Sequence, residues 1–171
     1  MRKLGLLCGV MLVFAMVASA QDNPKAEVFG GYSYLRVNPG SGVSGINFNG
    51  GSGSVSFNPK PWLGIVGDIG VYHATISGVG TTTVSYTFGP KLAYRKNDKV
   101  TPFAQVLLGG ARISGGGVSE NGFAMALGGG VDWNATPHVG IRVIQGEYVM
   151  TRFSSETQNN ARISAGVVFR W

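Results

Sequence analysis

From residue 26 onward the chain alternates between apolar positions and small or polar positions. The alternation is clearest in residues 82–95, where Val84, Tyr86 and Phe88 interleave with small polar residues. Successive side chains of a strand point to opposite faces, so this period predicts strands with one apolar face. No helical period is sustained after residue 27. The pattern predicts eight strands, at residues 26–37, 46–57, 62–74, 82–95, 100–114, 122–134, 138–152 and 160–171.

The connections between these strands alternate in length. Those after strands two, four and six are tight, whereas the others have about six to nine residues and are rich in Gly, Ser, Asn and Thr. This alternation predicts an all-β fold, an eight-stranded antiparallel up-and-down transmembrane barrel. Strand five requires a bulge near Gly109 and Gly110 to place Gln105 and Arg112 on one face. Strand seven requires a bulge around residues 144–146.

Composition decides which face of the barrel is outside. A soluble barrel of the lipocalin kind would expose a face rich in Lys and Glu. Here the polar face is mostly Gly, Ala, Ser and Thr, and charged residues make up 13% of the chain, against about 25% in soluble domains. Small residues suit the narrow interior of eight strands. We therefore expect the apolar face to contact lipid. Aromatic residues near the strand ends fit interfacial girdles: Tyr32, Tyr34, Trp62, Tyr94, Trp133, Tyr148 and Trp171.

The first twenty residues have the pattern of a secretory signal peptide. Arg2 and Lys3 precede an apolar run, and Ala18 and Ala20 form a small-residue cleavage site. The run is short for the alternative, an uncleaved membrane helix. We therefore expect a signal peptide at residues 1–20 and one barrel domain at residues 21–171. Cys8 is the only cysteine, so the mature chain would form no disulfide. Its basic residues are scattered, which argues against nucleic-acid binding.

The segment at residues 160–171 ends on alternating apolar residues and an aromatic residue. Ser164, Gly166, Phe169 and Trp171 occupy the four defined places of a pattern that resembles the C-terminal assembly signal of bacterial outer-membrane barrels. Over residues 27–171 the chain resembles small outer-membrane proteins of the OmpA-type eight-stranded class, without a peptidoglycan-binding domain. The resemblance implies a monomer in outer-membrane lipid, with the N-terminus of the mature chain in the periplasm. It also implies insertion by the barrel-assembly machinery, with periplasmic chaperones as transient partners.

The positions of the charged residues on the expected inner face predict ion pairs. Residues symmetric about a turn lie opposite each other, which pairs Asp132 with Arg142 and Glu147 with Arg162. Barrel closure brings Glu27 to Arg170, and neighbouring strands bring Asp68 towards Lys91. Facing lipid would cost about 2–4 kcal/mol for each Lys or Arg near the midplane, so these charges should point inward. Two interpretations are open: the pairs lock and fill the lumen, or they form a proton or ion path.

The sequence contains no nucleotide-binding loop and no zinc-ligand spacing. We therefore predict no cofactor, no metal site and no catalytic residues. His73, with Ser77 four residues on, is a weak candidate for the rim pair of a lipid-modifying enzyme, and we expect that the protein is not an enzyme. The favoured function is a structural, envelope-integrity barrel with a filled lumen. The alternatives are a small porin-like pore for ions or small solutes and, less favoured, a surface adhesion module.

Overall fold

Eight antiparallel strands form a closed barrel in which each strand pairs with its neighbour in sequence and β8 pairs with β1. The structure, a computed structural model, describes residues 23–38, 44–76, 78–153 and 156–171. The strands are β1 Ala26–Val37, β2 Ile46–Lys60, β3 Leu63–Ile76, β4 Val79–Ala93, β5 Val100–Gly115, β6 Val118–Asn134, β7 Val139–Phe153 and β8 Glu156–Arg170. The predicted fold class is thus confirmed. The predicted signal peptide, with Ala18 and Ala20, lies outside the described residues.

The barrel has two distinct ends. We call the end that holds Ala26 and Arg170 the terminal end, and the end of the β1–β2, β3–β4, β5–β6 and β7–β8 connections the hairpin end. The prediction of longer connections at the hairpin end is wrong in three of the four cases. Two residues separate β3 from β4, β5 from β6 and β7 from β8. Between β5 and β6, Gly116 and Gly117 have φ angles of 59° and 83°, as tight two-residue hairpins require.

Six of the eight strands, all except β1 and β7, are longer than predicted, because ladder hydrogen bonds involve backbone groups and do not require apolar side chains. The polar segments that lack alternation therefore continue the sheet. Within the described residues, no helix is long and apolar enough to cross a membrane.

One predicted bulge is present and the other is absent. In β7 the register against β8 shifts between Arg142 and Gln145, and the adjacent Val143 and Ile144 are both exposed on the outer face. In β5 the register against β6 is continuous from Val100↔Trp133 to Gly115↔Val118, so the predicted bulge near Gly109 and Gly110 is wrong. Arg112 instead lies on the outer face near the hairpin, where it donates a hydrogen bond to Ser119 (3.0 Å).

The two faces of the barrel differ as the alternation predicts. Large apolar side chains cover the outside, including Val55, Ile69, Phe88, Leu127 and Ile163, each at least 50% exposed to the surroundings of the barrel. An apolar cluster fills part of the lumen and consists of Leu35, Phe48, Val66, Tyr72, Ala74, Leu107, Ala126 and Val149. On β1, β3 and β7, Leu35, Ala74 and Val149 lie closer to the hairpin end than the lumen charges of the same strand. Relative to these three side chains the charges lie nearer the terminal end, whereas Val66 of the same cluster precedes Asp68 on β3 and lies nearer that end itself.

Candidate functional site

Charged side chains from inward-facing positions of six strands converge inside the barrel, together with Arg95, which follows the end of β4. We call this group the ion-pair network. Its side chains are each at most 7% exposed. Among the described residues its members are Glu27, Asp68, Lys91, Arg95, Asp132, Arg142, Glu147, Arg162 and Arg170. Charges buried in this way require partners, because loss of hydration costs several kcal/mol per ion.

Arg162 connects opposite walls of the lumen. Its Nε donates to Oε2 of Glu147 on the neighbouring strand β7 (2.6 Å). Its Nη1 donates to Oδ1 of Asp68 (2.8 Å) and to the hydroxyl of Tyr72 (3.0 Å), both on β3. Since β3 and β8 do not pair, this one guanidinium crosses the interior and fixes the separation of two distant strands.

The carboxylate of Glu147 receives further hydrogen bonds from neutral donors. Nε2 of Gln105 donates to its Oε1 (2.9 Å), and Nε2 of Gln145 donates to its Oε2 (2.8 Å). With Arg162, three side chains therefore satisfy this buried carboxylate. Charge-assisted hydrogen bonds of this kind are stronger than neutral ones, so the ionised form is well accommodated.

Arg142 is held by hydrogen bonds and by contacts with two aromatic rings. Nε and Nη2 donate to the two oxygens of Asp132 (2.8 and 3.2 Å), while Nη1 donates to Oε1 of Gln145 (2.6 Å). The guanidinium carbon lies 4.3 Å from the ring centre of Phe29 and 4.4 Å from that of Phe103. Such cation–π contacts strengthen when the pair is removed from water. This side chain therefore has little freedom to swing out of the lumen.

At the terminal end, one carboxylate serves several cations. Glu27 accepts hydrogen bonds from Lys91, from Nη2 of Arg95 (3.2 Å) and from Nε of Arg170 (3.2 Å). Nη2 of Arg170 also donates to Oδ2 of Asp132 (2.9 Å). Arg170 thus joins the cluster around Glu27 to the pair of Asp132 and Arg142, and the network continues along the barrel axis.

Three of the pairs expected from the sequence are in direct contact: Glu27 with Arg170 (3.2 Å), Asp132 with Arg142 (2.8 Å) and Glu147 with Arg162 (2.6 Å). The expected pair of Asp68 with Lys91 is wrong. Asp68 lies opposite Thr87 in the β3–β4 register, and Lys91 lies four residues further towards the terminal end, opposite Gly64. Lys91 passes close to Gly64, which has no side chain, and reaches Glu27 instead.

Sequence reasoning missed Arg95 of the network and several side chains that contact the network: Phe29, Tyr72, Phe103 and Gln145. The positions of Phe29 and Phe103 share their inward parity with Glu27 and Gln105, so the alternation contained a signal for both aromatic rings. Gln145 points inward because the bulge at Val143 and Ile144 reverses the parity of β7.

The residues of the predicted assembly signal lie where the barrel closes. Ser164 is buried and forms a hydrogen bond with Ser33 of β1 (2.6 Å), and a side chain at Gly166 would collide with the backbone of Gly30 and Gly31. Phe169 and Trp171 stack with ring centres 6.4 Å apart. The backbone of Trp171 exchanges hydrogen bonds of 2.9 and 3.0 Å with Ala26. Their role in assembly stays a prediction.

His73 is exposed and its Nδ1 lies 3.0 Å from Oγ1 of Thr82. Ser77, its predicted neighbour, lies outside the described residues. In the part of the chain that the structure describes, no three His, Cys, Asp or Glu side chains are grouped as a metal ion would require.

Comparisons with known proteins agree with this geometry. The family model for the outer membrane protein beta-barrel domain matches residues 5–170. Ail, the attachment invasion locus protein of Yersinia pestis, is 20% identical, with 86% of this chain and 99% of that chain covered and a TM-score of 0.57. Neisserial surface protein A is 16% identical, with coverages of 86% and 97% and a TM-score of 0.69.

The N-terminal β-barrel domain of Pseudomonas aeruginosa OprF is 12% identical, with coverages of 85% and 98% and a TM-score of 0.55. At these identities the likeness to solved structures establishes the fold alone. No curated protein matched the sequence significantly.

Proposed function

This chain belongs to the outer membrane protein beta-barrel domain family, and from that premise we propose that it is a structural barrel that supports envelope integrity without conducting solutes. Family membership indicates the bacterial outer membrane as its location. The observation that carries the proposal is the ion-pair network, which crosses the lumen through Arg162 and continues to the terminal end through Arg142 and Arg170.

The energetics favour a closed lumen. Eight strands enclose an interior that side chains can just fill. To open a path, a solute would have to separate buried ion pairs, and a buried charge left without its partner costs about 3–5 kcal/mol. Apolar side chains such as Leu35, Ala74 and Val149 fill part of the lumen on the hairpin side of the charges. A small pore is therefore the less favoured function, and it would require rearrangement of the ion-pair network.

We also propose how the barrel is oriented and assembled. The terminal end would face the periplasm, and the barrel-assembly machinery would insert the chain as a monomer into outer-membrane lipid. Ser164, Gly166, Phe169 and Trp171 would provide the recognition signal. Their position at the β1–β8 closure supports this role, because the strand that closes the barrel must be recognised before closure.

Two other roles have less support. Ail is named for attachment and invasion, but adhesion here would depend on loops, and three of the hairpin-end connections have two residues each. An enzymatic role would need a nucleophile and a base in contact, whereas His73 contacts Thr82 on the outer face. We therefore propose a non-enzymatic protein.

Planar bilayer recording tests the closed lumen directly. We expect purified protein to show no stable conductance steps, and we expect steps to appear with Arg162→Ala or Glu147→Ala, because each change breaks the layer that crosses the lumen. Arg152→Ala is the matched control, since Arg152 is exposed on the outer face. Large steps in the unchanged protein that disappear with Arg142→Ala or Arg162→Ala would instead establish a pore.

A deletion strain should show increased sensitivity to detergent and increased uptake of large dyes.

A further inference from the structure

Exposed lysines are concentrated at the terminal end of the barrel. Along the chain they are far apart, but the fold brings them to one end: Lys25 precedes β1, Lys60 ends β2, and Lys96 and Lys99 lie between β4 and β5. We call these four residues the lysine patch. Among the described residues at this end, Asp98 is the only exposed carboxylate, so the patch has an excess of positive charge.

The hairpin end has a different balance of charge. Its exposed cations are arginines, and exposed glutamates offset two of the three. These residues are Arg36, Arg112, Arg152, Glu120 and Glu156. The excess at the terminal end is therefore a local property of that surface and does not simply follow from the net charge of the chain.

Hydrogen bonds join the segments that carry the lysine patch. The backbone N–H of Asn58 donates to the carbonyl of Lys25 (2.7 Å), which holds Lys25 beside β2. Nη1 of Arg95 donates to the carbonyl of Pro61, which links the β4–β5 connection to the β2–β3 connection. The β6–β7 connection, at residues 135–138, contains no lysine. The positive charge is therefore held on one side of the terminal end.

The ammonium groups of the patch are available to an external anion. None of them forms an ion pair with an acid among the described residues. Arg95 differs from them, because its guanidinium is buried against Glu27 (3.2 Å). Nζ of Lys60 lies 5.4 Å from the ring centre of Trp62, a contact that leaves its N–H groups free to donate on the other side.

Aromatic side chains indicate that the patch lies at the membrane surface. Trp62 and Tyr94 are 53% and 57% exposed, and they lie close in sequence to Lys60 and Lys96. Trp and Tyr favour the level of the lipid headgroups in membrane proteins. Two residues separate β2 from β3 and six separate β4 from β5. Such short connections keep the ammonium groups close to the headgroups.

We propose that the lysine patch binds the phosphate groups of anionic phospholipids in the leaflet that surrounds the terminal end. An ammonium group is a compact charge with three donors, which suits phosphate oxygens. A zwitterionic headgroup carries an ammonium group of its own, which the lysines repel, so a lipid with net negative charge is favoured. This binding depends on the membrane location of the barrel and not on the proposed closure of its lumen.

Native mass spectrometry from lipid nanodiscs tests the patch. In discs with equal amounts of phosphatidylglycerol and phosphatidylethanolamine, the unchanged protein should retain phosphatidylglycerol with a preference of about fivefold or more, the effect of one lysine near an anionic surface. The combined variant Lys25→Gln, Lys60→Gln, Lys96→Gln and Lys99→Gln should retain the two lipids about equally. An unchanged preference in this variant would overturn the proposal.

A combined variant at the hairpin end is the matched control. Arg36→Gln, Arg112→Gln and Arg152→Gln remove three exposed cations from the opposite end, and this variant should keep the preference of the unchanged protein. An equal loss in both variants would mean that total charge selects the lipid, which would contradict the patch. Heat modifiability of each variant verifies that its barrel is folded.

The unchanged protein provides a test that needs no variant. Its thermal midpoint in detergent micelles should be higher with added phosphatidylglycerol than with phosphatidylethanolamine, because a ligand of the folded state stabilises it. The difference should disappear at an ionic strength of about 1 M, where the Debye length is about 3 Å. A difference that persists at this ionic strength would contradict an electrostatic site.

Other anions are distinguished by competition. Inorganic phosphate should reduce the difference in thermal midpoint no more than sodium chloride of the same ionic strength does. A specific loss with phosphate would assign the patch to a free anion and overturn the lipid proposal. Retention on purified peptidoglycan without any lipid preference would overturn it as well. Bilayer conductance tests the closed lumen separately, so either proposal can fail without the other.

Discussion

The ion-pair network and the apolar cluster fill the same narrow lumen by different physical means. In the network, Arg162 and Arg142 each contact several partners at fixed distances. In the cluster, side chains such as Leu35 and Phe48 are buried against one another without directional bonds. Apolar packing tolerates exchanges of similar volume, whereas a buried charge tolerates no loss of its partner. The network therefore specifies which strands face each other, whereas the cluster contributes buried apolar surface.

The network also has a weakness that the cluster does not share. Its members depend on one another, because Glu27 accepts from three cations and Arg170 serves both Glu27 and Asp132. One substitution therefore affects several contacts. A substitution in the cluster leaves a cavity whose cost depends on how far its neighbours can relax.

The largest effect is expected when the barrel cannot close, because the ion-pair network and the apolar cluster are then both lost. Phe169→Asp should prevent closure of β8 on β1, because a charge would replace an apolar side chain of the outer face that is 46% exposed. Deletion of Trp171 should have the same effect, because it removes the two backbone hydrogen bonds with Ala26. The protein should then remain in the periplasm and be degraded. The measurement is the amount of heat-modifiable protein in the outer-membrane fraction, and normal amounts would contradict the assembly signal.

Arg162→Met tests the network. It leaves the carboxylates of Glu147 and Asp68 buried without their shared cation, so the free energy of unfolding should fall by about 3–5 kcal/mol. Urea unfolding in detergent micelles measures the change. Arg152→Met is the control, because substitutions at exposed positions usually stay within about 0.5 kcal/mol. An equal loss in both variants would show that the network has no special role in stability.

Leu35→Ala tests the apolar cluster. Leu35 is 5% exposed, so truncation should lower the free energy of unfolding by about 2–5 kcal/mol and should leave the ion pairs intact. Leu92→Ala provides the control, since Leu92 lies on the outer face and is 53% exposed. Conductance steps in Leu35→Ala would mean that the cluster, and not the network, closes the barrel.

The smallest effect concerns one contact within the network. A double-mutant cycle with Glu147→Gln and Arg162→Met should give a coupling of about 0.5–3 kcal/mol, the range for groups in direct contact. Arg162 retains Asp68 when Glu147 is neutralised, so the coupling should be smaller than the loss from Arg162→Met alone. Additive effects would place these side chains apart and would question the bulge at Val143 and Ile144.

The register arithmetic succeeded for pairs on adjacent strands. Asp132 and Arg142 lie across one turn, and Glu147 and Arg162 across one hairpin, so their separation along the chain predicts their contact. It failed for Lys91, where the offset of four residues from the partner of Asp68 decides which acid the ammonium group can reach. The predicted lengths of three hairpin-end connections were also wrong, because polar side chains can lie within a strand and do not mark its end.

The sequence by itself determined the number of strands, the face that each presents to lipid and the inward direction of the charges, because these follow from a local period of two residues. Only the tertiary structure decided the partners across the lumen, such as Arg162 with Asp68 and Arg142 with Phe29 and Phe103. These contacts join strands that do not pair. They depend on the width of the closed barrel and the reach of each side chain, which no local pattern specifies.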